Sequence, residues 1–361
     1  MALSAISMGR TFVHPAFDAL VIGGGLSLLV AMWIAVDGTS AGLVMASSVP
    51  YFLLFVNNAH FAASTVRLYR KPDAFRDLPF LTMAFPLVTL VVVTASIAFA
   101  DQVGRHLQAL MLTWSPYHYC AQAYGLAAMY CYRSGCALAE PERRMLRWTC
   151  MVPFGVAVLS GTQAGSGLGW FVPWYTIAES ELGLALFRGA SVALGALAFA
   201  MPVALFLRVR ARSRRLTASG EPAAERGMPL ISLLIIASNS VWFVVFEYFD
   251  AFAWAALFHG LQYLGIVTIF HVRDRQRVEG VRHGWAYHTG MFYAACVGLG
   301  YLLWQCWSGA YVLIGFGRIE SVLMVATAIN LHHFITDAYI WRLRQDPNRT
   351  VMMETHPGHT A

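Results

Sequence analysis

The sequence predicts an all-α integral membrane protein, a polytopic bundle of about ten transmembrane helices. Hydrophobic residues make up 58% of the 361 residues and charged residues only 12%, and the mean hydropathy is +0.56. These values lie far from those of an ordinary soluble domain. Apolar runs of about 20 residues, each long enough to cross the hydrocarbon core as a helix, recur along the whole length. We therefore expect a single integral membrane domain, 1–361.

Charged breaks between the apolar runs set the limits of the predicted helices. Taken in chain order, the runs predict helices at about 19–36, 42–66, 80–100, 104–131, 146–164, 187–208, 229–248, 251–272, 290–307 and 319–341. We expect a cytoplasmic loop at about 209–228 and a short cytoplasmic tail at 342–361. The segment 165–186 is interrupted by Gly and Pro and contains interfacial aromatic residues, which suggests a re-entrant or surface-lying piece on the outer side.

Arginine clusters occupy alternate connections between these helices. They follow the second, fourth, sixth, eighth and tenth predicted helices, near Arg70, Arg144, Arg212, Arg275 and Arg344. Cytoplasmic loops of membrane proteins carry an excess of basic residues. The alternation therefore predicts that both termini lie in the cytoplasm, and we expect the protein in the bacterial inner membrane.

Several function classes are excluded by composition. The net charge of +6 comes from these short loop clusters, so we do not expect a nucleic-acid partner. The single lysine, Lys71, lies in a predicted loop, so no intramembrane lysine is available for a retinal Schiff base and a rhodopsin is excluded. The six cysteines contain no C-x-x-C pair, so neither a disulfide framework nor a zinc-thiolate site is indicated.

The last predicted helix contains the most informative polar cluster. Its sequence places two imidazoles and a carboxylate within an apolar run. On a helix, Asn330, His333 and Asp337 share one face, whereas His332 points about a quarter turn away. Polar groups that face lipid are costly, so these side chains are expected to face the protein interior and to have partners there. They either bind a ligand or form a hydrogen-bonded packing contact between helices.

Three further predicted helices carry a histidine within the apolar run: His60, His118 and His259. In the predicted topology these helices and the last one run from outside to inside, and the histidines can converge at similar depth. Imidazole and carboxylate ligands without thiolate suit iron, copper or zinc, and non-haem iron especially when a position stays open. The sequence therefore predicts a metal site formed by His60, His118, His259, His332, His333 and Asp337.

Other polar residues at helical spacing are expected to ligate beside these imidazoles or to hold their second nitrogens. This wider set comprises Asn57, Gln122, Gln262, Tyr263, Asn330, His14 and Asp18. His14 and Asp18 are spaced i, i+4 at the start of the first helix, where they share one face. A role in starting that helix at the membrane interface is the alternative for this pair.

Four short motifs occur in a fixed order, HPAFDA at 14–19, AHF at 59–61, FHG at 258–260 and LHHFITDAYI at 331–340. In that order they resemble the histidine motifs of the bacterial Brp/Blh-type membrane proteins that cleave β-carotene to retinal. The resemblance implies iron ligands at His14, His60, His259 and His332 or His333. His118 has no counterpart in those motifs. The H-x-x-H-H boxes of membrane fatty-acid desaturases are absent.

The predicted function is a membrane oxygenase or oxidase with non-haem iron, acting on a hydrophobic isoprenoid or lipid substrate. The substrate would enter from membrane lipid, and an electron-transfer partner would dock on the cytoplasmic side. One alternative is a subunit for electron transfer with b-type haem or quinone, because paired histidines on facing helices are sufficient to bind haem. Another is a proton-coupled transporter in which buried His and Asp relay protons.

Overall fold

The computed structural model describes residues 6–71, 73–163, 180–219, 227–246, 248–279 and 283–341. Every regular element among these residues is a helix, which confirms the predicted all-α class. Residues 165–179 of the predicted outer segment and the whole predicted tail, 342–361, lie outside the described residues.

The described helices are numbered α1 to α13 in chain order. Their bounds are Pro15–Ile22 for α1, Gly25–Val36 for α2, Gly38–Arg70 for α3, Ala74–Asp77 for α4, Phe80–Ala98 for α5, Arg105–Arg133 for α6, Glu140–Gln163 for α7, Glu181–Ala218 for α8, Leu230–Val245 for α9, Tyr248–Glu279 for α10, Trp285–Tyr301 for α11, Trp307–Leu313 for α12 and Arg318–Ile340 for α13. Short π-helical turns at Ala100–Gly104 and Leu302–Cys306 precede α6 and α12.

Five of the described helices, α3, α5, α8, α10 and α13, are long and apolar enough to cross a membrane. Helices α1 and α2 meet at a bend of 53° and add a sixth candidate if they are counted as one span. These helices indicate a membrane protein, as predicted. The other predicted spans also coincide with helices, but α6 and α7 carry more polar and charged residues. The number of ten spans therefore stays a prediction.

The predicted loop at about 209–228 is wrong in its first half, because α8 continues to Ala218. The Arg-rich stretch extends the helix beyond its apolar part, which is compatible with the good helix propensity of Arg. Within this extension, Arg212 donates from Nε to both carboxylate oxygens of the buried Glu142, at 2.9 and 3.0 Å. The stretch of charge therefore marks the end of the apolar part, whereas the helix itself ends later.

The chain divides into two compact units. Unit one comprises the described residues of 1–43 and 116–262, and unit two comprises those of 44–115 and 263–351. Each unit has its own buried apolar cluster. The predicted single domain, 1–361, stays a prediction.

In unit one, α7 packs against α8 and α9, and α9 packs against α2. Small residues lie opposite large aromatic ones in its core, and Trp242 also donates from Nε1 to the Ser27 hydroxyl at 2.8 Å. This hydrogen bond satisfies the one polar atom of a buried indole. The core consists of Ala31, Ala157, Trp242, Phe243, Ala251, Ala255 and Phe258.

In unit two, α3 packs against α11 and α13, and α13 also packs against α5 and α12. The contact of α3 with α11 depends on Gly300, where an added Cβ would lie 2.7 Å from the backbone oxygen of Asn58. Any larger residue at this position would push the two helices apart. The apolar core beside these helices consists of Phe61, Val93, Ile97, Tyr311, Met324, Val325, Ala328, Ile329, Leu331 and Phe334.

Candidate metal centre

Helices α3 and α13 run in the same direction where they meet in unit two. The rings of His60 and His333 lie 4.5 Å apart between centroids. Seven residues after His60, the guanidinium of Arg67 lies 5.0 Å from the ring of Trp341, which comes eight residues after His333. Matching positions on both helices therefore lie side by side. On α10, Tyr263 contacts both imidazole rings, at 5.1 and 5.3 Å between centroids.

Three potential ligand atoms come together at this level. Nε2 of His60 lies 3.1 Å from Nε2 of His333, which lies 3.3 Å from Oδ2 of Asp337. The three residues are 1%, 1% and 6% exposed. Two ligands at neighbouring positions around one ion, each about 2.1 Å from it, lie about 3.0 to 3.4 Å apart. The observed distances therefore suit neighbouring ligands of a single ion, and both histidines belong to the group that could hold a metal.

Ser64 is the hydrogen-bond partner of Nδ1 of His333. Its hydroxyl lies 3.1 Å from the backbone oxygen of Phe61 and 2.9 Å from Nδ1 of His333. The single hydroxyl proton goes either to Phe61 or to Nδ1 of His333, and in the first case Nδ1 donates to the Ser64 oxygen. In that tautomer Nε2 is unprotonated, and its lone pair lies beside His60 and Asp337. A histidine needs this tautomer to bind a metal through Nε2.

The carboxylate of Asp337 is held from its other side by Tyr263. The tyrosine hydroxyl donates to Oδ1 of Asp337 at 2.7 Å and accepts a hydrogen bond from Nε1 of Trp341 at 3.3 Å. One carboxylate oxygen is therefore bound to the protein, and the other faces His333. This arrangement fixes the orientation of the carboxylate without blocking the oxygen that would face a cation.

Unit one contains a second histidine pair, His118 on α6 and His259 on α10. Their ring centroids lie 5.0 Å apart with an interplanar angle of 74°, and the ring of Tyr119 lies 4.5 Å from that of His259. Gln122 donates to the backbone oxygen of His259 at 3.3 Å and to the side-chain oxygen of Gln262 at 3.4 Å. These two histidines also belong to the group that could hold a metal.

His332 is the predicted ligand that the structure places elsewhere. Its ring stacks on Phe85 of α5 with centroids 4.6 Å apart and an interplanar angle of 13°. Successive residues of a helix point about 100° apart, so His332 and His333 cannot both face α3. We therefore remove His332 from the ligand set, and of the adjacent pair only His333 meets His60.

His14 and Asp18 serve the helix start, which was the alternative for this pair. The exposed His14 accepts a hydrogen bond from the backbone nitrogen of Ala16 at 3.2 Å. The buried Asp18 accepts from the backbone nitrogens of residues 12, 13 and 14 at 2.5, 3.2 and 3.3 Å and from the hydroxyl of Tyr130 at 2.7 Å. These donors fully account for a buried carboxylate, so we remove both residues from the proposed site.

The remaining predicted amides bind backbone or neighbouring groups. Asn57 donates to the side-chain oxygen of Asn58 at 3.4 Å, and Asn330 donates to the backbone oxygen of Ala326 in its own helix at 2.8 Å. Gln262 donates to a backbone oxygen at the end of α1 at 3.1 Å. Only the Gln262 bond joins two helices, and we give the three residues no ligand role.

Sequence reasoning missed Ser64 and Arg67. They lie four and seven residues after His60, so helical spacing alone places them on its face of α3. Arg67 is 8% exposed and pairs with Asp274 at 3.1 Å. A π-helical turn at Leu53–Asn58 also precedes His60, and such turns are frequent at functional sites. The polar spacing was visible in the sequence, whereas the π-helical turn was not.

Comparison with known proteins does not assign the chain to a family. Neither a family model, nor a curated protein, nor a solved structure matches it. The resemblance of the four short motifs to β-carotene-cleaving proteins therefore remains an interpretation of those motifs. The function has to be argued from the side chains of the site.

Proposed function

We propose that this chain is an integral membrane non-haem iron oxygenase that acts on a hydrophobic substrate of the isoprenoid or lipid class. The observation that carries the proposal is the convergence of His60 Nε2, His333 Nε2 and Asp337 Oδ2 in a buried place. Two histidines and one carboxylate, with open positions beside them, are the ligand set typical of non-haem Fe(II) oxygenases. Bound iron would supply the binding and activation of O₂.

The buried carboxylate of Asp337 supports the proposal of a bound cation beside His60 and His333. Asp337 is 6% exposed and lies on a helix that is apolar enough to cross a membrane. A buried carboxylate is costly unless a cation or several donors offset its charge. The hydroxyl of Tyr263 donates to Asp337, the guanidinium of Arg67 contributes positive charge nearby, and a metal ion beside His333 would add to it. In this proposal Ser64 orients His333, and Tyr263 orients Asp337.

The sequence also predicts metal ligation by His118 and His259, and this stays a prediction for that pair by itself. Its support is chemical, because imidazoles suit iron and the buried His259 has aromatic and amide neighbours. The contribution of this second pair is tested separately from that of His60 and His333.

Apolar surroundings support a hydrophobic substrate. The ring of Phe61 lies 5.0 Å from that of His333 and 5.8 Å from that of Trp304. The apolar core of unit two continues from these rings. Ligand pockets are typically lined by hydrophobic and aromatic side chains with few polar groups. A long hydrocarbon chain is therefore a better match than a polar metabolite.

The distance between the two imidazoles argues against haem held by His60 and His333. Axial ligands on opposite sides of a haem iron, each about 2.0 Å from it, would place their nitrogens about 4 Å apart. The nitrogens of His60 and His333 are 3.1 Å apart, and the porphyrin plane would have to pass between them. Adjacent positions on one non-haem ion suit this distance better.

Metal analysis and an absorption spectrum of protein purified without chelator test the proposal. We expect about one iron per chain and no Soret band, because buried ligands that act together release an ion slowly. His333→Ala should lose the iron. His332→Phe is the matched control, since it changes the adjacent histidine but keeps a ring against Phe85. Wild-type protein without a transition metal would overturn the proposal and favour the proton-relay transporter.

We also propose ten spans with both termini in the cytoplasm of a bacterium, inserted in the inner membrane. The alternating arginine clusters support this topology. Reporter fusions after Arg76, Arg147, Arg215 and Arg282 should all report the cytoplasm. A periplasmic signal from any of them would contradict the predicted number of spans.

A further inference from the structure

Three helices of unit two bring basic side chains together where α3 and α10 end and α11 begins. Arg67 and Arg70 lie in the last turn of α3, and Arg275 of α10 donates to the backbone oxygen of Arg70 at 3.2 Å. The ring of His271, one turn before Arg275, stacks on that of Phe292 of α11 with centroids 4.3 Å apart. The last turns of α3 and α10 therefore lie beside the first turns of α11.

His288 adds a second imidazole from α11. It comes four residues before Phe292, so the two side chains share one face of the helix. His288 and the three arginines all lie close enough to His271 for their charges to act on its ring. We call this group the basic cluster; it consists of Arg67, Arg70, His271, Arg275 and His288.

The basic cluster has a buried part and an accessible part. Arg67, His271 and His288 are 8%, 4% and 5% exposed. Arg70 is exposed and Arg275 is half-buried. A ligand that approaches the two outer guanidinium groups therefore has buried donors of the same sign directly behind them.

Positive charge exceeds negative charge in the basic cluster. Arg67 pairs with Asp274 at 3.1 Å, and the charge of Asp337 also acts on it. Arg70 and Arg275 add two positive charges at the ends of the same helices. Like charges that lie side by side repel each other, and an anion bound between them removes this repulsion.

The start of α11 offers N–H groups to such an anion. Nε2 of His288 is buried and has no hydrogen-bond partner among the described residues. The nearest aromatic rings to it are those of Tyr287 and His283, at 5.5 and 6.1 Å between centroids. The N-cap residue, Gly284, has no side chain that could accept from the first backbone N–H groups of the helix. Buried polar groups normally have a partner, so these donors favour an acceptor at this place.

We propose that the basic cluster binds a phosphate group. Guanidinium groups match the geometry of phosphate oxygens, and the positive end of a helix dipole favours an anion. Basic pockets between transmembrane helices bind the headgroups of anionic lipids in this way. Two sources supply the same chemistry, a phospholipid headgroup and free inorganic phosphate. The site does not depend on bound iron, because Arg67 lies about two helical turns beyond His60.

Three probes distinguish the sources in purified full-length protein in detergent. We expect saturable retention of phosphatidylglycerol in native mass spectrometry, and weaker retention of diacylglycerol, which lacks the phosphate. Titration with inorganic phosphate, followed by phosphorus NMR, tests the free anion. Displacement of phosphatidylglycerol by inorganic phosphate would identify the free anion as a ligand of the site, whereas lipid retention without phosphate binding would identify the headgroup.

Two variants remove donors from different helices. Arg275→Gln removes a guanidinium group, and His288→Phe keeps a buried ring but removes both nitrogens. Each should weaken binding of the retained probe by about tenfold or more, because hydrogen bonds to a charged group are among the stronger ones. Arg318→Gln at the start of α13 and His332→Phe beside Phe85 make the same changes elsewhere in unit two, and they should bind like the wild type.

The result that overturns the inference is equally specific. Saturable binding of neither phosphatidylglycerol nor inorganic phosphate to the wild type would exclude the site. Equal retention of diacylglycerol and phosphatidylglycerol would show that the acyl chains bind and the phosphate does not. Unchanged affinity in folded Arg275→Gln and His288→Phe would place the bound probe outside the basic cluster.

Discussion

The two histidine pairs, one in each unit, have different surroundings. In unit two, the Nε2 atoms of His60 and His333 face each other at 3.1 Å, and the carboxylate of Asp337 lies 3.3 Å away. In unit one, the rings of His118 and His259 lie 5.0 Å apart beside aromatic and amide side chains. The first pair has a carboxylate within hydrogen-bonding distance of an imidazole and a hydroxyl at the other nitrogen of that imidazole. The second pair has aromatic and amide neighbours.

Removal of each histidine pair in turn should produce the largest change in bound iron, and it tests the difference between the two pairs directly. We expect the variant His60→Ala/His333→Ala to bind no iron, because it removes both imidazoles beside the carboxylate. The variant His118→Ala/His259→Ala should keep iron but release it at lower chelator concentration. Iron per chain after dialysis against graded chelator measures both.

Two outcomes of that experiment would change the comparison. Equal loss of iron from both double variants would show that the carboxylate does not make the unit-two pair the stronger anchor. Unchanged retention in His118→Ala/His259→Ala would remove this pair from the ligand set and leave it as a packing contact. Circular dichroism of each variant separates loss of ligands from loss of fold.

The negative charge of Asp337 is the second difference between the two pairs, and its removal should have the next largest effect on bound iron. Asp337→Asn keeps a side-chain oxygen that can accept from Tyr263 but removes the negative charge. If Oδ2 binds the ion directly, iron should fall nearly as far as in His333→Ala, because the cation loses both a ligand and its counter-charge. Iron titration in detergent measures the affinity. A decrease of only about 10- to 100-fold would show that Asp337 orients a ligand without binding the ion.

The helices were predictable because apolar runs and charged breaks control them directly. Each predicted span falls on helical residues, although the first is divided between α1 and α2 at a bend of 53° and the ninth is interrupted by the π-helical turn at Leu302–Cys306. The predicted end of a helix was wrong where charged residues that favour a helix follow the apolar run. Arg212 and its neighbours were predicted to form a loop, but they continue α8 to Ala218. Charge marks where a helix leaves the membrane, and it does not end the helix.

The site was predictable in part for a similar reason. Helical spacing correctly separates His332 from His333 by about 100°, so one of them had to face away. Which of them faces α3 depends on the rotation of α13, and that rotation is set by packing against Phe85 and the other helices. The role of Asp18 could not be predicted from the sequence. Three of its donors are backbone nitrogens of an irregular segment, and no side-chain pattern indicates such donors.

Ser64 tests whether the hydrogen bond at Nδ1 of His333 contributes to the difference between the pairs. Ser64→Ala removes this partner, so the ring can turn or change tautomer. We expect iron affinity to fall by about 10- to 100-fold, as is usual when the partner of a metal-bound histidine is removed. Ser115→Ala is the control, since Ser115 is buried in the same unit and donates to its own helix backbone at 2.8 Å. Equal effects in both variants would exclude a specific role for Ser64.

Tyr263→Phe should have the smallest effect on iron and isolates the hydroxyl that holds Asp337. The ring can keep its contacts with His60 and His333, while Asp337 loses a donor and Trp341 loses an acceptor. Leaving a buried polar group without its partner costs about 1–3 kcal/mol, so we expect the free energy of unfolding in detergent to decrease by about that amount.

Iron affinity of Tyr263→Phe should fall by no more than about tenfold, the lower limit for a residue that acts through another ligand. Tyr293→Phe is the matched control, because its hydroxyl donates to the backbone oxygen of Phe55 at 2.8 Å at an exposed position of the same unit. Its iron affinity should stay at the wild-type level, since its hydroxyl bonds to a backbone oxygen and not to a ligand residue. Complete loss of iron from Tyr263→Phe would instead identify the phenol oxygen as a ligand, which the sequence allowed. The carboxylate would then act as its base, and the difference between the two pairs would depend on Tyr263 together with Asp337.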